Sequence, residues 1–254
     1  MRGFGAFLAK EAREIVRTWR IWVVPGMLVF FGLVSAPMAA AAPALVSSLA
    51  GQTPGVVIQI PDPTAMDAYA QFLKSLSQIV LIALIVSGAG TVSAERSSGT
   101  AILVLTKPLS RAAFVLAKLV SQIALLVAST IVATAACYAV TRLLFPVVPV
   151  APLLGAVALW LVFAVLLVTT MTLLSVIFAS RGAAAGAGLG FLFATLLASI
   201  WPAATRYSFV GLLGAAGAAL AGRPADLMWP AGTAVATAVL LAGLAITIFR
   251  RLEI

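Results

Sequence analysis

Apolar residues run through this chain in long blocks, and polar residues gather in the short intervals between them. Six blocks each approach the roughly 20 residues that cross a hydrocarbon core. They cover 22–42, 72–94, 116–140, 153–179, 183–200 and 229–249. The fourth is long enough to tilt, and the fifth is the shortest. Residues 2–20 show a helical period instead. Phe4, Phe7, Leu8, Ala12, Ile15 and Trp19 fall near one face, and Arg2, Lys10, Arg13, Arg17 and Arg20 mostly elsewhere. Such a helix lies in the interface with its apolar side in lipid. The pattern predicts an all-α integral membrane protein, a single domain of six transmembrane helices preceded by an amphipathic interfacial helix over 1–20.

The most informative interval is 95–118, ERSSGTAILVLTKPLSRAAFVLAK. Gly99 suits a chain reversal, because it lacks the Cβ that disfavours positive φ. Thr100 can cap a helix start through its hydroxyl. Pro108 pushes Lys107 toward an extended backbone, so that helix stops by about Thr106. Ser110 can cap the next helix, beginning at Arg111. The interval therefore reads as helix end, turn, a helix of about two turns, a proline break and a new helix. Such a piece is either a rigid docking element or an ordinary interfacial loop.

Glu95, Gly99, Thr100, Leu105, Pro108, Ser110, Arg111 and Lys118 stand in the order E-x-x-x-G-T-x-x-x-x-L-x-x-P-x-S-R-x-x-x-x-x-x-K. This resembles the first cytoplasmic loop of ABC-2 type permeases, the transmembrane subunits of ATP-binding-cassette exporters. The resemblance extends to the layout of the whole chain. It implies that 95–115 is a coupling loop whose short helix seats in an ATPase subunit. Glu95, Arg96, Gly99, Thr100, Leu103, Leu105, Pro108, Ser110, Arg111 and Lys118 would then be the coupling residues. It also implies an elbow helix at 1–20, a second permease subunit in a homo- or heterodimer, and ATP and Mg held by the partner ATPase.

Composition agrees with the membrane class: 63% of residues are hydrophobic and 9% charged, with no histidine. The net charge of +9 does not point to nucleic acid, since the basic residues cluster beside apolar blocks. With both termini in the cytoplasm, Arg2, Lys10, Arg13, Arg17, Arg20, Arg96, Lys107, Arg111, Lys118, Arg181, Arg250 and Arg251 lie inside. Lys74, Arg142, Arg206 and Arg223 lie outside. That bias obeys the positive-inside rule and places the chain in the cell membrane as a multi-pass protein. Residues 1–20 lack the apolar core and cleavage site of a signal peptide.

Other intervals carry weaker signals. The outer segment 43–71 holds four prolines but is too short for a domain. In 202–228 an apolar run of roughly 13 residues is short for a span and suits a re-entrant or interfacial helix pair. Gly182, Gly186 and Gly190 form a doubled G-x-x-x-G, a groove for tight helix contact within the chain or at a dimer seam. The lone Cys137 excludes an intramolecular disulfide. No G-x-x-x-x-G-K-[ST] phosphate loop and no His/Cys/carboxylate cluster occur, so no cofactor, metal or catalytic residue is expected in this chain. No lysine is expected inside a span, nor any charge at mid-span, which argues against a proton-coupled carrier.

The leading expectation is thus a permease subunit without its own nucleotide site. The alternatives are a stand-alone carrier or channel, and a non-transporting scaffold that recruits a cytoplasmic ATPase. Glu95 at a helix C-terminus and Arg111 at a helix N-terminus each oppose their own dipole, which predicts that they pair, with Arg96 competing. The topology is tested with single cysteines at Ser48, Ser110 and Ser208 in a Cys137→Ser background. An impermeant thiol reagent on intact cells is expected to label position 48 and spare position 110; the reverse pattern overturns the orientation.

Overall fold

The computed structural model describes residues 20–50, 62–97, 110–223 and 227–251, with Gly5, Lys10 and Arg13 singly. Of 20, 21, 47–50, 96 and 97 only the backbone is described. The chain is all-α, with no strand among the described residues. Six of its helices are long and apolar enough to cross a membrane. They lie at Trp22–Val46, Ala65–Glu95, Arg111–Leu144, Val150–Ile177, Arg181–Ala198 and Met228–Arg251. Most of the 1–20 elbow helix lies outside the described residues.

Helix ends are set by local chemistry. Ser110 and Ser180 accept from the N–H of Ala113 and Ala183, each at 3.1 Å, and start the third and fifth spans at Arg111 and Arg181. The third span therefore begins one turn before the predicted 116. The second begins at Ala65 rather than 72, because Asp67 accepts from both the N–H and the hydroxyl of Thr64, at 2.8 and 2.7 Å. This cap was hidden in a segment whose proline content read as loop. Several hydroxyls inside the spans are satisfied along their own helices: Thr134, Thr141, Thr170 and Thr172 each donate to the carbonyl four residues earlier. In lipid that is the nearest available acceptor.

The second span is not one continuous α-helix. α2 (Ala65–Ser75) passes through a π turn (Leu76–Val80) into α3 (Leu81–Gly88), breaks at 89–92, and resumes as α4 (Ser93–Ser97). The other spans are α1 (Arg20–Ala50), α5 (Arg111–Leu144), α6 (Val150–Ile177), α7 (Arg181–Ala198) and α10 (Met228–Arg251). Between the last two stand α8 (Pro202–Tyr207), a 3-10 turn (Phe209–Gly211) and α9 (Leu212–Leu220).

α6 is the central post. Its Trp160, Phe163, Leu166, Leu167 and Met171 are fully buried, and α2, α3, α5, α9 and α10 all pack on it. α1 packs chiefly on α5, where Gly32 meets the carbonyl oxygen of Ala133. Beside this contact Cys137 is buried, 3.6 Å from the Ser35 hydroxyl, and serves in packing. In lipid no hydrophobic force draws helices together, so close approach through small residues carries much of the association.

The G-x-x-x-G stripe behaves differently from one half of its expectation. Gly182, Gly186 and Gly190 are exposed, and a Cβ on any of them would meet nothing within 4 Å. They make no tight contact among the described residues. α7 turns Ala184, Gly188, Leu192 and Thr195 inward instead, with Gly188 against Met171. The 202–220 segment forms a dipping hairpin. Phe209 at its tip stacks on Phe191, 6.1 Å between centroids. Phe191 stands seven residues before the end of α7, about 10 Å along the helix. On the return, Ala219 reaches Gly155 near the start of α6.

The α1–α5 contact sets a test. Gly32→Leu forces a side chain into the Ala133 backbone and is expected to lower stability by about 1–3 kcal/mol or more. Gly26→Leu, where a Cβ meets nothing within 4 Å, should leave the thermal transition in detergent unchanged. Equal transitions for the two variants would refute the close packing.

Candidate functional site

The site begins with the broken end of the second span. Gly88 and Gly90 weaken the helix there, and the chain turns over 89–92. Thr91 folds its hydroxyl back to the Gly88 carbonyl at 2.7 Å, and Ser93 donates to the Ala89 carbonyl at 2.9 Å. The break frees backbone N–H groups inside the bundle. Ser175 of α6 takes two of them: its hydroxyl oxygen accepts from Val92 at 2.8 Å and Ser93 at 3.0 Å. Gln122 of α5 donates to the Thr91 hydroxyl at 2.7 Å. The stem of Arg181, first residue of α7, lies over Gly90, where a Cβ would come within 3.2 Å of Nε.

Because the helix restarts at Ser93, Glu95 falls in the first turn of α4 rather than at a helix C-terminus. Lys118, two turns into α5, reaches it with Nζ 2.6 Å from Oε1. The lysine is 1% exposed and the carboxylate 14%. Lys10 approaches the same oxygen at 3.9 Å from a more exposed position. The Lys118 ammonium also lies 5.1 Å from the Phe114 ring centre, a cation–π distance. Phe114 in turn stacks on Phe249 of α10, 5.2 Å and 5° apart. A small core of Val92, Val115, Leu173, Val176 and Ala245 fills the space around these rings.

Arg111 turns away from the carboxylate. Its Nη1 donates to the carbonyls of Phe249 and Arg250, at 3.5 and 3.2 Å. Those carbonyls belong to the last turn of α10, where a helix lacks internal donors and carries partial negative charge. The expected Glu95–Arg111 pair is thus corrected to Glu95–Lys118. Glu95 finds its complement two turns farther along α5, and Arg111 finds its own on α10. The expectation that no lysine lies inside a span is also corrected, at Lys118 and at Lys74 in α2.

Of the ten coupling residues, the structure brings Glu95 and Lys118 into direct contact and sets Ser110 and Arg111 at the start of α5. Arg96 is described by backbone only, in α4. Gly99, Thr100, Leu103, Leu105 and Pro108 lie outside the described residues, and with them the predicted helix over 100–106. Thr91, Gln122, Phe114, Ser175 and Phe249 were missed by sequence reasoning. The first two had a signal: the run Gly-Ala-Gly-Thr at 88–91 marks a helix break, and Gln122 follows Lys118 by one turn. Ser175 had none, since its partners are backbone groups 82 and 83 residues away.

A family model described as "Protein of unknown function (DUF2705)" matches residues 44–254. The chain is also similar to an uncharacterized transmembrane protein, YxlG, of Bacillus subtilis (strain 168). The two are 26% identical over 211 residues, 82% of this chain and 81% of the relative. The family model's range spans the whole cluster except Lys10.

The buried pair is open to test. Lys118→Met leaves a largely buried carboxylate without its nearest cation and is expected to cost about 3–5 kcal/mol. Adding Glu95→Gln should recover much of that loss, because two neutral side chains replace an uncompensated charge. Glu95→Arg with Arg111→Glu should recover none. Thermal unfolding in detergent of the variants decides, and rescue by the Arg111 swap would reverse the assignment.

Proposed function

The chain belongs to the DUF2705 family, and from that premise we propose that this multi-pass membrane protein is the permease subunit of an ATP-driven exporter of the ABC-2 kind. In this reading it sits in the cell membrane with both termini in the cytoplasm. Two such subunits, identical or not, pair with two ATPase subunits that hold ATP and Mg. This chain carries out no catalysis of its own.

The observation that carries the reading is the contact between the two ends of loop 98–109. Glu95 stands just before the loop and Lys118 two turns beyond it, 2.6 Å apart. A loop clamped at its base moves with α4 and α5 together. Arg111 extends the clamp to the end of α10 and Ser175 extends it to α6. A partner pressing on the loop would therefore move four spans and not one flexible strand. The exposed Gly182–Gly186–Gly190 face is available to the second permease subunit.

The second span also offers a polar face. Asp67, Gln71, Lys74 and Gln78 follow at spacings of four, three and four, with all but Gln71 exposed. Cavities of about 590 and 420 Å³ flank this face and share Asp67, Ala70 and Lys74. Polar groups within a span mark pathways for polar or charged cargo. The same face favours the second reading, a stand-alone carrier.

Purification decides between them. The exporter reading expects a phosphate-loop ATPase to co-purify at one to one, and no nucleotide binding by the isolated chain. In the reconstituted complex, Glu95→Gln combined with Lys118→Met, which leaves no buried charge unpaired, should leave assembly intact and reduce substrate-stimulated ATP hydrolysis by about fivefold or more. Flux through the isolated chain without nucleotide would favour the carrier. Co-purification without substrate stimulation would favour a scaffold.

A further inference from the structure

The dipping hairpin encloses a cavity of about 420 Å³ with the end of α7 and Pro230 of α10. Small-ligand sites occupy roughly 300–1,000 Å³. Small residues make the space: Gly211, Gly214, Ala215 and Ala218 line it. A Cβ on Gly214 would meet nothing within 4 Å, so the volume is open there. Gly211 lies against the Thr205 backbone, where a Cβ would clash with its carbonyl oxygen.

The interior is chemically quieter than its hydroxyls suggest. Thr195, Ser199 and Thr205 already donate to the carbonyls of Phe191, Leu196 and Pro202, at 2.9, 2.6 and 2.9 Å. Their protons are engaged along their own helices, which leaves a space suited to hydrocarbon. Among the described residues that line the cavity, Arg206 is the one charged group and none is acidic. Its guanidinium lies 5.3 Å from the Tyr207 ring centre, which fixes its position while its N–H edges stay exposed. Trp201, Tyr207 and Trp229 are exposed around the same end, and such aromatic residues sit at headgroup level.

We infer that this cavity holds one acyl chain of an anionic phospholipid, with the phosphate bound by Arg206. Guanidinium and phosphate form paired charge-assisted hydrogen bonds. A phosphatidylcholine offers the same chain, but its own ammonium offsets its phosphate. Free inorganic phosphate offers the anion and leaves the apolar volume unfilled. The inference does not depend on the transport reading.

The test is lipid retention by the purified full chain in detergent, read by native mass spectrometry. Phosphatidylglycerol and phosphatidylcholine of identical acyl chains are compared, with inorganic phosphate as a third arm. Phosphatidylglycerol is expected to be retained about tenfold over phosphatidylcholine. Arg206→Gln should abolish the preference and keep the chain, and Gly214→Leu should reduce retention of both lipids. Where Gly214→Leu is not monodisperse, Arg206→Gln decides alone, since it alters only an exposed side chain. Equal retention of the two lipids by the unaltered chain, an undiminished preference in Arg206→Gln, or thermal stabilisation by inorganic phosphate alone would overturn the inference.

Discussion

A membrane helix that breaks and restarts inside its bundle must find acceptors for the N–H groups freed at the restart, because lipid supplies none. The second span stops in this way at 89–92, and Ser175 answers for two of its donors. The rest of that end depends on this arrangement. It fixes α6 against the break and holds Thr91 where Gln122 can reach it. It also restarts the helix at Ser93, so that Glu95 faces α5. Without the break, Glu95 would continue the turn of α3 at a C-terminus, where the dipole repels it.

The charges at this end serve position more than stability. Burying an ion pair seldom gains much over an apolar pair of the same volume, whereas breaking one is costly. Among the described residues, Lys118 has its ammonium within reach of the Glu95 carboxylate and the Phe114 ring face. That set of partners admits few alternative registers of α5 against α4. Arg111 supplies the complementary restraint, tying the start of α5 to the end of α10. α4, α5, α6 and α10 therefore meet in one connected cluster.

The opposite end is built on other terms. There the hairpin lies between α7 and α10, and small residues leave room between elements where the loop end is filled by rings and paired charges. The polar face of α2 is carried past Lys74 by the π turn Leu76–Val80, an irregularity often found at functional sites. Among the described residues, one end is thus tightly joined and the other more open.

Hydropathy alone determined the six spans, because each block is long enough that no other structure satisfies its backbone in lipid. The serine cap at Ser110 was equally legible, since a cap is made within three residues. The helix dip at 202–220 was partly legible from its length. What the sequence could not determine was partnership across the bundle. Glu95 had Arg111, Arg96 and Lys118 all within reach along the chain, and only the break at 89–92 decided for Lys118. The glycines of α7 could face in or out, and the inward packing of Gly188 on Met171 turned Gly182, Gly186 and Gly190 outward. Local bonds are set by residue type and spacing. Contacts between spans depend on how each helix is rotated and where it is interrupted, and that is fixed only when all of them pack together.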